Sequence, residues 1–439
     1  MKRLSLFLVL ALSAAAICTA RPKKIVPRNL IDDPREMAIT FAEDELKRFP
    51  ELWQYDYGRR PFFGYTQGVG GSAYFYLWQE TGDKRYFDYA EQWCDTLIAG
   101  DGTIQLRSRE SYNLDLIRGG LVVCQVYRAI HENPALVGGG DEAIGKLYKY
   151  KKAMADDLIL QLKNQPKTTD GGFWHKLRYP HQMWLDGIYM ASPFMAAYGD
   201  TFGEDEWKAE ALQQVITCWH HTYDPKTGLL HHAWDEAAAQ RWSDKEGHSP
   251  NFWGRSVGWY LMALVDILDY IPEGFQSRLN IGHKDTITIA GCDTLIRYIN
   301  TLVDALPQYQ RGGMWYQVMD QPEREGNWPE ASVTAQFMYA IAKAVNKGYI
   351  PADRKQIAID AFNGLQQTPF QHRDEDFGGP MLYRDEKGRL TLSQCCTVGG
   401  LGGSPYRDGS YEYYINEKIR HDDGKATGPF FMGCYELSK

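Results

Sequence analysis

Helical segments of two kinds alternate along this chain, and that alternation restricts its fold more than any other feature. Read for apolar spacing, twelve stretches carry a helical period: about 33–48, 69–81, 83–98, 113–131, 141–165, 183–200, 203–222, 253–271, 283–306, 330–347, 351–366 and 428–437. The odd-numbered ones are amphipathic. Tyr86, Ala90, Trp93 and Leu97 make the stripe of the third, Trp207, Ala211, Val215 and Cys218 that of the seventh, and Cys292, Leu295, Ile299 and Leu302 that of the ninth. Each has one face to bury and one to wet. The even-numbered stretches, such as GGSAYFYLW, GIYMASPFMAAYG, GWYLMALVDIL and ASVTAQFMYAIAKAV, are small and apolar nearly all round, which leaves no solvent face. Six dry helices inside six wet ones give two concentric rings. The pattern predicts an all-α (α/α)6 barrel, a six-hairpin toroid built as a single domain over residues 21–439. A helical solenoid would need a fixed repeat, which is missing.

With 44% apolar and 24% charged residues, the chain can bury a large core. Its formal net charge of −8 argues against nucleic acid or an anionic membrane surface as partner, since both demand a basic face. Residues 1–20, MKRLSLFLVLALSAAAICTA, read as a signal peptide: Lys2 and Arg3, an apolar run, then Cys18-Thr19-Ala20 before Arg21. The expectation is export, with the periplasm as destination. A lipid anchor on Cys18 is the lesser alternative, because Ile17 is bulky where a small residue is usual. No other stretch has the roughly 20 apolar residues of a transmembrane helix. The seven remaining cysteines are scattered, and none forms a CxxC pair.

The loops leading into the even stretches share a composition that packing does not require. They read GYTQGVGG (64–71), SYNLDLIRGG (111–120), YPHQMWLDG (179–187), SPNFWGRSVGW (249–259) and GNWPEASVTA (326–335), and a long CCTVGGLGGSPYRDGSYEYY (395–414) precedes the last. Aromatic rings beside Asp, Arg and Gln at converging helix N-termini suit a sugar, with some preference for an acidic one. Asp186 in MWLDG and Asp115 in YNLDLIRGG are the candidate catalytic pair. Both are expected just inside neighbouring inner helices, where two carboxylates in an aromatic setting separate into one acid and one base. As single residues, each is equally a helix cap. Tyr65, Met183 and Trp184 are candidate sugar contacts, as are Trp253, Arg255 and Trp259 of WGRSVGW, where a guanidinium beside indoles suits a uronate. His232 in LLHHAWDE is a candidate hydrogen-bond donor to substrate.

Other patterns carry less. His220, His221, His231 and His232 lie close in sequence but lack HExxH spacing and an ordered carboxylate ligand, so neither metal nor cofactor is expected. GGLGG (399–403) lacks the Lys-Ser/Thr of a phosphate loop and reads as a flexible rim lid or a plain structural loop. The acidic DEDFGG (374–379) lacks calcium-loop spacing.

Taken together, QMWLDGIYMASPF, HAWDE, WGRSVGWYLMAL, MWYQVMD, EASVTAQFMYAIAKAV and GLGGSPYRDGSYEYY…GPFFMGCYE resemble glycoside hydrolase family 105, the unsaturated rhamnogalacturonyl hydrolases. Family 88, the unsaturated glucuronyl hydrolases, is a close relative. The likeness runs in order from about residue 35 to the C-terminus. It implies an (α/α)6 barrel that removes a non-reducing-end 4,5-unsaturated uronic acid from lyase-generated oligosaccharides, without a cofactor. It implies a proton from Asp186 to C4, water at C5, and a sugar-binding and tuning role for Asp115. Trp184, His232, Trp253, Arg255 and Trp259 match subsite positions. One departure stands out: the family motif often reads WARGNGW, and here Ser256 and Val257 replace the Gly-Asn pair. Two other readings of the residues remain open: a conventional inverting glycosidase on the same toroid, and an exported oligosaccharide-binding protein without turnover.

Overall fold

The computed structural model describes residues 31–281, 285–369 and 380–439. The expected signal peptide with Cys18, and the DEDFGG run, lie outside the described residues. Twelve helices build the body: α1 (Pro34–Arg48), α2 (Tyr65–Thr81), α3 (Lys84–Leu97), α4 (Gly119–Glu132), α5 (Gly140–Ala153), α6 (Leu185–Phe202), α7 (Asp205–Thr222), α8 (Gly254–Ile267), α9 (Gly291–Ala305), α10 (Ala331–Asn346), α11 (Lys355–Gln367) and α12 (Gly424–Leu437). Through a π-helical turn (Met154–Ile159), α5 continues into Leu160–Lys163.

The even helices close a ring. In it α2 packs on α4, α4 on α6, α6 on α8, α8 on α10, α10 on α12, and α12 returns to α2. The odd helices lie outside, with α1 on α12, α3 on α2, α5 on α4, α7 on α6, α9 on α8 and α11 on α10. Sequence composition is the cause. Every residue of α8 and of α12 is buried, whereas α3 buries Tyr86, Ala90, Trp93 and Leu97 and turns Lys84, Arg85, Asp88 and Asp95 outward. This is the expected (α/α)6 toroid.

Several boundaries differ from the sequence reading, each for a local reason. Residues 285–290 (DTITIA) do not begin a helix; they pair antiparallel with Gln276–Ile281, because a Thr-Ile alternation suits a strand better than a helical turn. Gln213 of α7 holds that hairpin, exchanging hydrogen bonds with the Asn280 backbone at 2.7 and 2.9 Å. Asp115 does not lie inside α4. It sits in a 3-10 turn (Leu114–Leu116) capped by the Asn113 side chain, which accepts from the Asp115 N–H at 3.0 Å. In turn α12 begins four residues early, at an N-cap from Asp423, and Tyr65 opens α2 rather than lying in a loop.

The ring has two unlike ends. Connections from outer to inner helices are long (98–118, 164–184, 223–253, 306–330), while most returns, such as 82–83 and 203–204, are short; the return 268–290, which carries the paired strands, is the exception. All the candidate site residues lie at the long-loop end, where the inner helices start.

Candidate active site

Four chain segments lie edge to edge where α4 and α6 begin. The Leu114 N–H donates to the His175 carbonyl at 3.1 Å, and the His175 N–H to the Gln182 carbonyl at 2.8 Å. Strand Gln182–Trp184 pairs antiparallel with Ala233–Asp235, with Met183 opposite Trp234. The Leu185 N–H then donates to the His232 carbonyl at 3.1 Å. Buried backbone groups must find partners, and this chain of pairings satisfies them while drawing Asp115, His175, Asp186 and His232 together.

Asp186 is the second residue of α6, with its side chain 17% exposed. Its Oδ2 meets His232 Nε2 at 3.1 Å, and Oδ1 has no hydrogen bond among the described residues. Burial pushes its carboxyl up. The hydrogen bond from His232, with the neighbouring imidazoles and the Arg255 cation, outweighs that, leaving it below the usual carboxylate range. Asp115, 19% exposed, is also held down. Burial raises it, but Lys176, whose Nζ ion-pairs with Oδ2, and His175, with Nε2 3.5 Å from Oδ1, lower it further than the nearby charge of Asp186 raises it. The two acids share one electrostatic neighbourhood, but both are held low where the sequence reading expects one raised and one lowered carboxyl, because each has its own donor, His232 or Lys176. Neither serves as the Ncap of its helix: Trp184 caps α6 and Arg118 stands before α4.

His175 was not singled out from the sequence. It is buried, and burial pushes its imidazole down to about 4, so it is neutral at pH 7. Its ring stacks on Trp184 at 4.7 Å, and Tyr179 stacks on the same indole at 4.8 Å. Gly187 makes room for it, since a Cβ there would stand 3.1 Å from His175 Nδ1 and from Leu114 Cδ1. The HK pair at 175–176 gave no periodic signal; only its closeness in sequence to WLDG hinted at a role.

Trp253 packs at 4.7 Å from the His232 ring and lies under the Arg255 cation, 4.6 Å from the ring centre. Arg255 is buried and donates through Nη1 to the Cys396 carbonyl, while its Nε has no partner among the described residues. Burial disfavours its charge, but Cys396, Glu330 and Asp423 hold it above the ordinary value. Tyr65, the first residue of α2, has the Lys425 ammonium 5.9 Å from its ring centre, and burial pushes its phenol up to about 12. Met183 and Trp259, expected at the sugar, sit behind it. Met183 is 2% exposed and packs over Gly172, on the strand face opposite Trp184. Trp259 is 1% exposed and stacks on Tyr189 at 4.9 Å in the ring interior. At the departure from the family motif, the Ser256 hydroxyl donates to the Trp253 carbonyl at 2.8 Å, and Val257 joins the core.

The glycine-rich segment is a packed cover and not a loose lid. Leu401 is fully buried against Tyr179, Trp184 and Trp242. A Cβ at Gly399 would come within 2.4 Å of the Trp253 indole, so only glycine lets the backbone approach this closely. Arg407 ties the cover down, donating to the Tyr179 hydroxyl at 2.9 Å. Three of the four clustered histidines have separate partners: His221 pairs with Asp170 and stacks on Trp234, His231 bonds the Ser249 carbonyl, and His232 meets Asp186 and Tyr414. Beside Asp115 opens a groove of about 470 Å³ lined by Ser111, Asn113, Lys176, Leu177 and Arg178.

A helical toroid with two neighbouring aspartates at its mouth and an arginine over an indole fits a glycosidase of the (α/α)6 class. The family model described as Glycosyl Hydrolase Family 88 matches residues 38–439, and the chain belongs to that family, within the related 88 and 105 groups. A solved family 105 glycoside hydrolase from C. acetobutylicum ATCC 824 is 34% identical with a TM-score of 0.76, covering 91% of this chain and 98% of that one. Protein Atu3128 of Agrobacterium fabrum is 33% identical over 250 residues, 56% of this chain and 97% of its own length. The unsaturated rhamnogalacturonyl hydrolase YesR of Bacillus subtilis is 24% identical over 222 residues, 47% of this chain and 58% of its own.

Proposed function

We propose that this glycosidase removes a 4,5-unsaturated uronic acid from the non-reducing end of lyase-generated oligosaccharides of the pectin or rhamnogalacturonan type. The observation that carries the reading is that Asp186, bonded to the His232 imidazole, and Asp115, ion-paired with Lys176, both face His175, with the buried Arg255 cation acting on Asp186.

The substrate's C4=C5 bond is conjugated with the ring oxygen as a vinyl ether. Asp186, protonated, gives its proton to C4, and the cation that forms at C5 is shared with the ring oxygen. Water adds to C5 and returns a proton to Asp186, so the carboxyl is restored. The hemiketal opens to a ketone, and the hemiacetal left at C1 releases the aglycone. Asp115, kept ionised by Lys176, accepts hydrogen bonds from sugar hydroxyls. Arg255, a buried cation with no competing partner at its Nε among the described residues, supplies a fixed positive charge that favours a uronate over a neutral sugar. Trp184 and Trp253 wall the ring.

The test follows the ultraviolet absorbance of an unsaturated disaccharide made by a lyase. The absorbance fades with the enzyme and persists with Asp186→Asn, and heavy water leaves deuterium at C4. Turnover of saturated oligosaccharides, or binding without turnover, would overturn the reading. Residues 1–20 support export to the periplasm as the place of action, tested by fractionation and N-terminal sequencing of the mature chain. Among the described residues no helix is long and apolar enough to cross a membrane.

A further inference from the structure

Behind Asp186 stands a pair of side chains that the hydration step above does not use to its full extent. The Tyr414 hydroxyl lies 2.7 Å from His232 Nδ1, and Nε2 of the same ring lies 3.1 Å from Asp186 Oδ2. Both Tyr414 and His232 are fully buried. A neutral imidazole carries one proton, so one of its nitrogens donates and the other accepts. Which is which decides what Asp186 faces.

Three observations settle the direction. First, the Tyr414 hydroxyl has no other hydrogen-bond partner among the described residues, so its proton has Nδ1 as its acceptor. Second, the phenol keeps that proton, because burial, with Tyr413, Asp186 and Cys396 adding to it, pushes it far above its usual value despite Arg407. Third, the imidazole is wedged between Trp253 at 4.7 Å and the Trp184 indole at 5.4 Å and 69°, which blocks the ring flip that would exchange the nitrogens. Tyr414 is itself locked: its ring stacks on Trp253, and its carbonyl accepts from Gln317 Nε2 at 2.9 Å.

We propose that Tyr414 is a positioning residue that holds His232 as the neutral Nε2–H tautomer, so that the imidazole donates to Oδ2 of Asp186 and reserves Oδ1 as the oxygen that carries the catalytic proton. The proposal rests on the reading of Asp186 as the proton donor. The proton balance is closed without the relay: the Oδ1 proton goes to C4, one proton of the attacking water replaces it, and Tyr414 and His232 keep theirs. The other groups facing Asp186 are His175, which is neutral, Arg255, which is a fixed cation, and the ionised Asp115. In the opposite tautomer, Nε2 would be bare and would draw the Asp186 proton onto Oδ2, pointing it away from the sugar.

The decisive measurement is nitrogen NMR on the full chain with 15N-labelled histidine and no substrate, with His232 assigned by comparison with His232→Gln. The expected spectrum shows a proton-bearing Nε2 and a bare Nδ1 in the wild type, and a mixture of tautomers in Tyr414→Phe. In kinetics, Tyr414→Phe lowers kcat by about tenfold with KM nearly unchanged, a part of what positioned acid catalysis supplies. In a His232→Gln background the same change causes no further loss, because Tyr414 acts only through the ring. A wild-type His232 protonated at Nδ1, or losses that multiply in the double variant, would overturn the proposal. Should Tyr414→Phe not fold, the wild-type spectrum still decides. If the unsaturated disaccharide is not consumed at all, the hydration reading falls while the tautomer result stands by itself.

Discussion

Where the inner helices end, buried acids are matched to lysines; where they begin, one acid is left half-matched. At the far end Lys343 donates to Asp266 at 2.8 Å and Asp269 at 2.6 Å, and Tyr339 donates to Asp266 at 2.7 Å. Glu436 accepts from Tyr76 and Asn346, each at 2.7 Å, and Lys439 pairs with Glu80. Of these, Tyr76, Glu80, Asp269, Lys343, Glu436 and Lys439 line a crevice of about 770 Å³, where they pair with one another or with the groups behind them. At the mouth, Asp115 has its lysine, but among the described residues Asp186 has only an imidazole on Oδ2 and no hydrogen bond on Oδ1. A carboxylate closed by lysine is locked in one charge state and holds structure. One bonded to a neutral donor on a single oxygen can take up and release a proton, which is the requirement of an acid that becomes a base.

Four experiments would break or sharpen that contrast. The largest expected effect is Asp186→Asn at the mouth, which should reduce kcat by about 10²–10⁴-fold with the melting temperature nearly unchanged, read from loss of the unsaturated chromophore. Next is Lys343→Met at the far end. It leaves Asp266 buried without its cation and should cost about 3 kcal/mol in denaturant unfolding, with kcat of the folded fraction preserved. If Lys343→Met instead lost activity at full stability, the division between the two ends would be wrong.

Gly399→Ala comes third. Its Cβ would press on the Trp253 indole, and overpacking of this kind costs about 1–3 kcal/mol, measurable by calorimetry together with a raised KM. The smallest effect is in the pH profile. The proton donor must be protonated in the free enzyme, so kcat/KM is full below the Asp186 pKa and falls as pH rises through it. Because Asp186 lies below the usual carboxylate range, that fall begins at acidic pH. Removing the His232 hydrogen bond with His232→Leu, which has no donor, lets burial dominate, raises the Asp186 pKa, and should move the falling limb to higher pH. A limb that stayed put would show that His232 does not set the acid's proton affinity.

Much of this was legible along the chain, and the parts that were not have a common cause. The wet and dry helices were readable because burial of a helix face writes itself into spacing over a few turns, as in α3 and α8. The loops with Asp115, Asp186 and Arg255 were readable because their polar and aromatic mixture has no packing purpose. The hairpin at 276–290 was misread because Thr and Ile at short range satisfy helical and extended spacing alike. Met183 was misplaced because strand alternation turns neighbours to opposite faces, and only the pairing with Trp234 identifies which face is which.

The roles of His175, Lys176 and Tyr414 had no local signature at all. The contact from Asp186 to His232 spans 46 positions and that from His232 to Tyr414 spans 182, so their partners were chosen by ring closure and backbone pairing. Composition and period sufficed for a two-layered helical ring with acids at one mouth, since both follow from which side chains tolerate water. Which oxygen of Asp186 is held and which is open depends on tenths of an ångström between distant segments, and only the packed chain decides it.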